Sequence, residues 1–253
     1  MLKTLAVVQA RMGSSRLPGK SLRPLIGRTV LGLLLERLKR ARKLDAIVVA
    51  TSDRAVDDPI VSLAARYGLR SVRGSEGDVL DRVQNAVFEM PAEMVVRICA
   101  DNPLTDPEQV DTLVEYFENG GYDYAYSNLP KCGLPCGLGA EVISASALRL
   151  VNEKAMSAQH REHVTLYVLD HPARFKIGAL MASPALWYPE FRLDVDYEED
   201  LASLERICAL LRQAPEANWT TREIVELLLA KPELLTPRRC ESSAPNSLNH
   251  ICD

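Results

Sequence analysis

The sequence has no long hydrophobic run, few aromatic residues (6%) and only four histidines. None of its apolar stretches approaches the roughly 18 uninterrupted residues that a membrane helix needs, so membrane insertion is not expected. Residues 1–8 begin like a secretory leader, but Gln9, Arg11 and Ser14 interrupt the apolar run too early. The expected location is therefore cytoplasmic. Six cysteines spread over 253 residues are too sparse for a disulfide scaffold, and free thiols are expected. Cys132 and Cys136 lack a second pair or a nearby histidine, which speaks against zinc. No internal repeat is present. What remains is ordinary globular composition, 47% hydrophobic and 25% charged, which excludes disordered and fibrous classes.

The formal net charge of −4 hides a strong asymmetry. Residues 1–43 carry eleven basic side chains against one acid, Glu36, for a net +10, while the remaining 210 residues sum to −14. Such a division points to an anion meeting the N-terminal segment. The acidity of the whole argues against nucleic acid as that anion. Within the segment, Arg11, Arg16 and Lys20 group in one loop. The basic residues from Arg37 to Lys43 are expected to solvate the first helix and its C-terminal dipole.

Hydrophobic periodicity alternates between strand and helix. Strands are expected at Thr4–Gln9, Ala46–Ala50, Leu69–Val72 and Met94–Cys99, with helices at Thr29–Arg42, Ala55–Tyr67, Asp78–Glu89 and Pro107–Asn119. This rhythm predicts an α/β fold, a mostly parallel sheet with helices on both faces. Beyond Tyr122 the pattern is less regular. Strands are expected at Tyr122–Ser127, Glu141–Ile143, Phe175–Leu180 and Phe191–Val195. Helices are expected at Ser146–Lys154, Glu162–Asp170, Glu198–Arg212 and Thr221–Ala230. Residues 1–236 are expected to form one domain, with an excursion at about 128–185, and 237–253 a flexible tail.

Ligands of such sheets bind beyond the carboxyl ends of the strands, which directs attention to three segments. The first is Ala10–Lys20, ARMGSSRLPGK, where a small-residue turn carries two guanidiniums and an ammonium before a helix. Backbone N–H groups and cations in such a loop suit phosphate. The loop is not a Walker A motif, because Gly13 and Gly19 enclose five residues rather than four, and no GxGxxG occurs here. The second segment is Arg97–Pro107, RICADNPLTDP, where Asp101 follows an apolar strand directly. The third is Arg192–Asp200, RLDVDYEED. As strand neighbours two apart, Asp194 and Asp196 would share one face, and paired carboxylates suit Mg²⁺. A phosphate cradle and a two-part carboxylate site together equip a protein for nucleotidyl transfer.

The chain resembles the CTP-dependent cytidylyltransferases that activate sugar acids, namely the acylneuraminate and 3-deoxy-manno-octulosonate enzymes, and within them the spore-coat polysaccharide (SpsF-type) branch. The resemblance spans about residues 3–230. It rests on QARMGSSRLPGK (9–20), GSEGDVLDR (74–82), RICADNPLTDP (97–107), PCGLGAEV (135–142), QHREHVT (159–165) and RLDVDYEEDL (192–201). It implies a nucleotide-diphospho-sugar transferase (GT-A-like, Rossmann-like) fold, CTP and a sugar-acid acceptor as substrates, Mg²⁺ as cofactor, and a homodimer. It places Ala10, Arg11, Ser14, Arg16 and Lys20 at the nucleotide, with Asp81 and Arg82 beside it. It puts Mg²⁺ on Asp101 and Asp196 with help from Asp194, and makes Arg11, Lys20, Asp101 and Asp196 the catalytic set. Glu141, Arg161 and His163 fall where relatives bind the sugar acid or pair subunits. Two other readings compete: a nucleotide-sugar glycosyltransferase using Asp194-Val195-Asp196 as a DxD motif, and a catalytically silent scaffold.

Overall fold

The computed structural model describes residues 1–211 and 218–236, so the expected tail lies outside the described residues. The chain opens with β1 (Leu2–Gln9), followed by a small hairpin of β2 (Pro24–Leu25) and β3 (Arg28–Thr29) and by α1 (Val30–Leu38). Three strand–helix units come next: β4 (Ala46–Ser52) with α2 (Asp58–Arg66), β5 (Arg70–Gly74) with α3 (Val79–Glu89), and β6 (Ala92–Cys99) with α4 (Pro107–Gly120). Local chemistry marks the helix ends. Thr29 caps α1 through Gly32 N–H, Asp78 caps α3 through Asp81 N–H, and Gly121 at φ +57° stops α4.

β7 (Tyr124–Tyr126), β8 (Glu141–Ser144) and β9 (Ile177–Ala179) join the same sheet, with α5 (Ala145–Lys154), α6 (Ala158–Glu162) and α7 (Leu166–Asp170) between the last two. The strand order is β5-β4-β1-β6-β8-β7-β9. Only β8 runs antiparallel to its neighbours, β6 and β7; the other pairs are parallel. The expected mostly parallel sheet is therefore present. One of its faces packs α1, α2 and α4 over Ala6, Val8, Val49 and Val96. The other packs α3, α5 and α7 over Leu5, Val7, Val48 and Val95. Burial on both sides explains why these strands read as continuous apolar runs. A third cluster packs α8 (Glu198–Leu211) and α9 (Thr221–Ala230) over Leu17, Leu25, Leu33 and Leu138.

Three expectations fail. The helix expected over Glu162–Asp170 is two short helices, broken at 163–165, where the Thr165 hydroxyl turns inward to donate to the Glu141 carboxylate at 3.1 Å. Phe191–Val195 forms no strand but a single bridge between Cys136 and Arg192. Its alternating Phe191, Leu193 and Val195 pack into the third cluster, and Gly137 at φ +91° lies directly on its backbone. A Cβ on Gly137 would stand 2.9 Å from the Leu193 carbonyl carbon, so only glycine permits this contact.

The third failure is Arg37, which does not solvate α1. It is 1% exposed. Its guanidinium donates to the carbonyls of Thr105 (3.1 Å), Leu104 (3.2 Å) and Trp219 (2.9 Å) and lies over the Trp219 ring. Burial lowers its pKa to about 10. Arg37 thus ties α1 to the turn after β6 and to the segment that leads into α9. Asp106 makes a parallel tie, accepting from Thr221 N–H at 2.7 Å and the Thr221 hydroxyl at 2.6 Å. Replacing Arg37 by Ala leaves buried carbonyls without donors and is expected to cost at least about 3 kcal/mol in urea unfolding; a change within about 0.5 kcal/mol would contradict this role.

Candidate active site

β1 is flanked by β4 and β6, and the connection after β1 runs to the β4 side. The sheet's topological switch therefore lies at the carboxyl ends of β1 and β6, and the 10–20 loop leaves the sheet there. The loop folds on itself. Gly19 N–H donates to Met12 C=O at 2.9 Å, and Leu17 N–H donates to the Ser14 hydroxyl at 3.3 Å. Gly19 takes φ +72°, the left-handed turn that delivers Lys20 inward. Asp57, at the foot of α2, anchors the loop from below. It accepts from Met12 N–H (2.8 Å), from Thr51 and from Ser52. Burial would raise the Asp57 pKa, but these hydrogen bonds hold it below the usual carboxylate value.

Lys20 is buried, and its Nζ lies 2.7 Å from Asp101 Oδ2 and 2.9 Å from Asp196 Oδ1. Three distant chain segments meet at this one ammonium. Asp196 also faces Arg16 at 3.0 Å and Arg192 at 3.1 Å. Burial would lower the lysine pKa, but the two carboxylates outweigh it and the ammonium is held charged. The two acids are pushed apart. Full burial raises Asp101 in spite of Lys20, whereas at Asp196 the cations overcome burial and lower it. The second oxygen of Asp101, Oδ1, is buried without a hydrogen-bond partner.

Arg192 holds both oxygens of Asp194, at 3.2 and 2.6 Å, and bridges to Asp196. The two aspartates thus share an arginine rather than a strand face, and Asp194 is engaged by that arginine instead of standing open as half of a DxD motif. Among the described residues no group of three or more His, Cys, Asp or Glu gathers at metal-ligating distance. Asp101 and Asp196 with an orphaned carboxylate oxygen nonetheless fit a hard cation that keeps water and phosphate for its other ligands, as Mg²⁺ does.

An open cleft spreads from this cluster over the switch point. Ala10, Arg11, Ser14, Lys20, Arg82 and Asp101, all singled out in the sequence, line it. Glu162, from the stretch that the resemblance puts where relatives bind the sugar acid or pair subunits, lines it too, as do Gln9, Ser21 and Cys99, which carry no separate sequence signal as wall residues. Arg11 pairs with Glu162 at 3.3 Å across the opening. Arg82 is 1% exposed, donates to the carbonyls of Ser75 and Glu76, and keeps a buried Nε without a partner. Burial first, and Arg11 second, lowers its pKa. Asp81 accepts from Asn85 at 3.0 Å on the flank of α3 and is absent from the cleft lining.

The three residues that the resemblance puts where relatives bind the sugar acid or pair subunits are absent from the cleft lining. Glu141 is 1% exposed and accepts from Arg97 (2.8 Å), Tyr124 (3.1 Å) and Thr165 (3.1 Å). Arg161 pairs with Asp78 at 2.7 Å and donates to Asn152 C=O. His163 ends α6 with Nδ1 buried and without a partner. Glu141 acts on the cleft at one remove. It fixes the buried Arg97, whose Nε donates to Gln9 Oε1 at 2.9 Å. Because arginine only donates, the Gln9 amide presents its carbonyl oxygen to Arg97, and Gln9 itself lines the cleft.

A family model described as Cytidylyltransferase matches residues 5–227. The chain is 34% identical over 242 residues to the spore coat polysaccharide biosynthesis protein SpsF of Bacillus subtilis, covering 94% of this chain and 98% of that one. The structure of a cytidylyltransferase from Leptospira borgpetersenii superposes with a TM-score of 0.87 at 27% identity, over 94% of this chain and 99% of that one. The fold is also that of a CMP:2-keto-3-deoxy-manno-octonic acid synthetase solved with CTP (TM-score 0.61, 19% identity, covering 83% and 99%).

Asp57→Ala is expected to cost about 2–4 kcal/mol at neutral pH, since a charged acceptor with several donors is lost. With its folded pKa depressed, Asp57 stabilises fully above about pH 4, its unfolded range, and less as pH falls. The gap between wild type and variant in urea unfolding should therefore shrink below about pH 4; a gap that widens on acidification would contradict the assignment.

Proposed function

This chain belongs to the cytidylyltransferase family, and from that premise we propose that it moves CMP from CTP onto a hydroxyl of a sugar acid, releasing pyrophosphate, in the synthesis of a surface polysaccharide. The carrying observation is the buried Lys20–Asp101–Asp196 cluster at the switch point, ringed by Arg11, Arg16 and Arg82. Support for the substrates comes from the relatives: one solved structure is a sugar-acid synthetase with CTP, and another relative serves spore-coat polysaccharide synthesis.

In this reading the triphosphate lies along the 10–20 loop, where Ala10, Arg11, Ser14, Arg16 and Lys20 receive it. Arg82 and Gln9, both in the cleft wall, receive the nucleotide or acceptor from the α3 side. The acceptor hydroxyl oxygen forms a bond to the α-phosphorus as the bond to the bridging oxygen of the β-phosphate breaks, and the hydroxyl proton passes to solvent. Lys20, Arg11 and Arg16 stabilise the charge that grows on the departing pyrophosphate. Asp101 and Asp196 would hold a divalent cation, Mg²⁺ by the hardness of the donors, which would supply Lewis acidity toward the attacking hydroxyl and offset phosphate charge. Glu141 is a positioning residue that acts through Arg97 and Gln9.

Pyrophosphate release from CTP with a sugar-acid panel tests the proposal. Asp101→Asn is expected to abolish turnover with an unchanged circular dichroism spectrum, and Lys20→Ala to lower kcat/KM on the order of a hundredfold. Wild-type pyrophosphate release by Asp101→Asn would remove the metal assignment, and nucleoside diphosphate as product would favour the glycosyltransferase reading instead.

A further inference from the structure

Lys20 occupies a position that a second cation would need. Its ammonium touches one oxygen of Asp101 and one of Asp196, at 2.7 and 2.9 Å, in a buried setting. An ion bridging the two carboxylates would sit between the same oxygens, at about 2.1 Å from each for Mg²⁺. A dication and an ammonium cannot share that space, because like charges this close repel strongly where water is excluded. The ammonium also cannot simply be removed, since burial makes an unpaired charge costly. It needs another anion within reach.

The geometry points to one. Lys20 follows Gly19 at the end of the loop whose Ser14 and Arg11 line the same cleft, so a polyphosphate in the cleft offers the ammonium a replacement partner. We infer that Lys20 is the resident counter-ion of the Asp101–Asp196 pair and makes divalent metal entry conditional on nucleotide: the phosphates draw the ammonium off the carboxylates, and the metal takes the vacated position. This rests on the preceding reading of the cleft as a CTP site. Two further features agree with it. The orphaned Asp101 Oδ1 gives the incoming ion an oxygen that no donor contests. Arg192 remains on Asp196 and keeps that carboxylate in place while Lys20 moves.

Equilibrium dialysis of the full chain against Mn²⁺, with and without CTP and with no acceptor present, tests the inference without any turnover. Wild type is expected to hold Mn²⁺ weakly alone, and on the order of tenfold or more tightly with CTP. Lys20→Met, which keeps the length and loses the charge, is expected to hold Mn²⁺ without nucleotide by a similar margin over wild type, and adding Asp101→Asn should erase that gain. The inference is overturned if Lys20→Met binds Mn²⁺ no better than wild type. It is equally overturned if wild type binds Mn²⁺ as tightly without CTP as with it, a comparison that stands even where the variant does not fold. Wild type that retains neither CTP nor Mn²⁺ would overturn the CTP reading of the cleft itself.

Discussion

Two carboxylates brought face to face in a buried site need a cation between them, and in this protein the Lys20 ammonium supplies it. At an effective dielectric near 20, a unit pair at contact distance is worth about 4 kcal/mol, enough to decide where the flanking segments lie. The three charges come from the β1 loop, the end of β6 and the irregular segment before α8. That segment is also held to the Asp101 backbone, through Val195 N–H to Asp101 C=O at 2.9 Å. The loop can therefore be short, glycine-turned and rich in like charge without flying apart.

Around this contact the fold supplies rigid supports whose polar groups are satisfied within the protein. Asp57 holds the loop from the β4 side, and Arg37 holds the turn beyond Asp101 from α1. Arg97 and Glu141 orient Gln9 from beneath the sheet's other face. Each support is a buried charge with several fixed partners, the condition under which such charges hold geometry instead of costing it. Arg11 and Glu162 differ in kind. Their pair is long and part-exposed, so it contributes little stability and leaves two charges free to re-pair with a ligand.

How much of this was legible in the sequence depends on how local the signal is. The strand–helix rhythm and the family motifs identified the parallel sheet and the cytidylyltransferase family, because continuous apolar runs and fixed loop chemistry are local properties. The cleft residues Ala10, Arg11, Ser14, Lys20, Arg82 and Asp101 stood out for the same reason. Arg37 reads in the sequence as a solvating charge, since the three carbonyls that bury it belong to residues far along the chain. Asp57 carried no signal at all: its partners come from β4 and the first loop. Phe191–Val195 has the alternation of a strand, but its apolar side chains pack against α8 and α9, so the pattern reports burial rather than pairing. The resemblance puts Glu141 where relatives bind the sugar acid or pair subunits; the partners that enclose its side chain, Arg97, Tyr124 and Thr165, lie far apart in the sequence and give no local signal.

Lys20, on the proposal above, is a hinge between two electrostatic states, one balanced within the protein and one balanced by substrate. A crystal structure of the wild-type chain with Mg²⁺ and CTP measures this most directly. The predicted result is a Lys20 Nζ withdrawn from Asp101 and hydrogen-bonded to a phosphate oxygen, with the metal on Asp101 and Asp196. A Lys20 that stays between the two carboxylates while CTP and metal bind elsewhere would contradict the account.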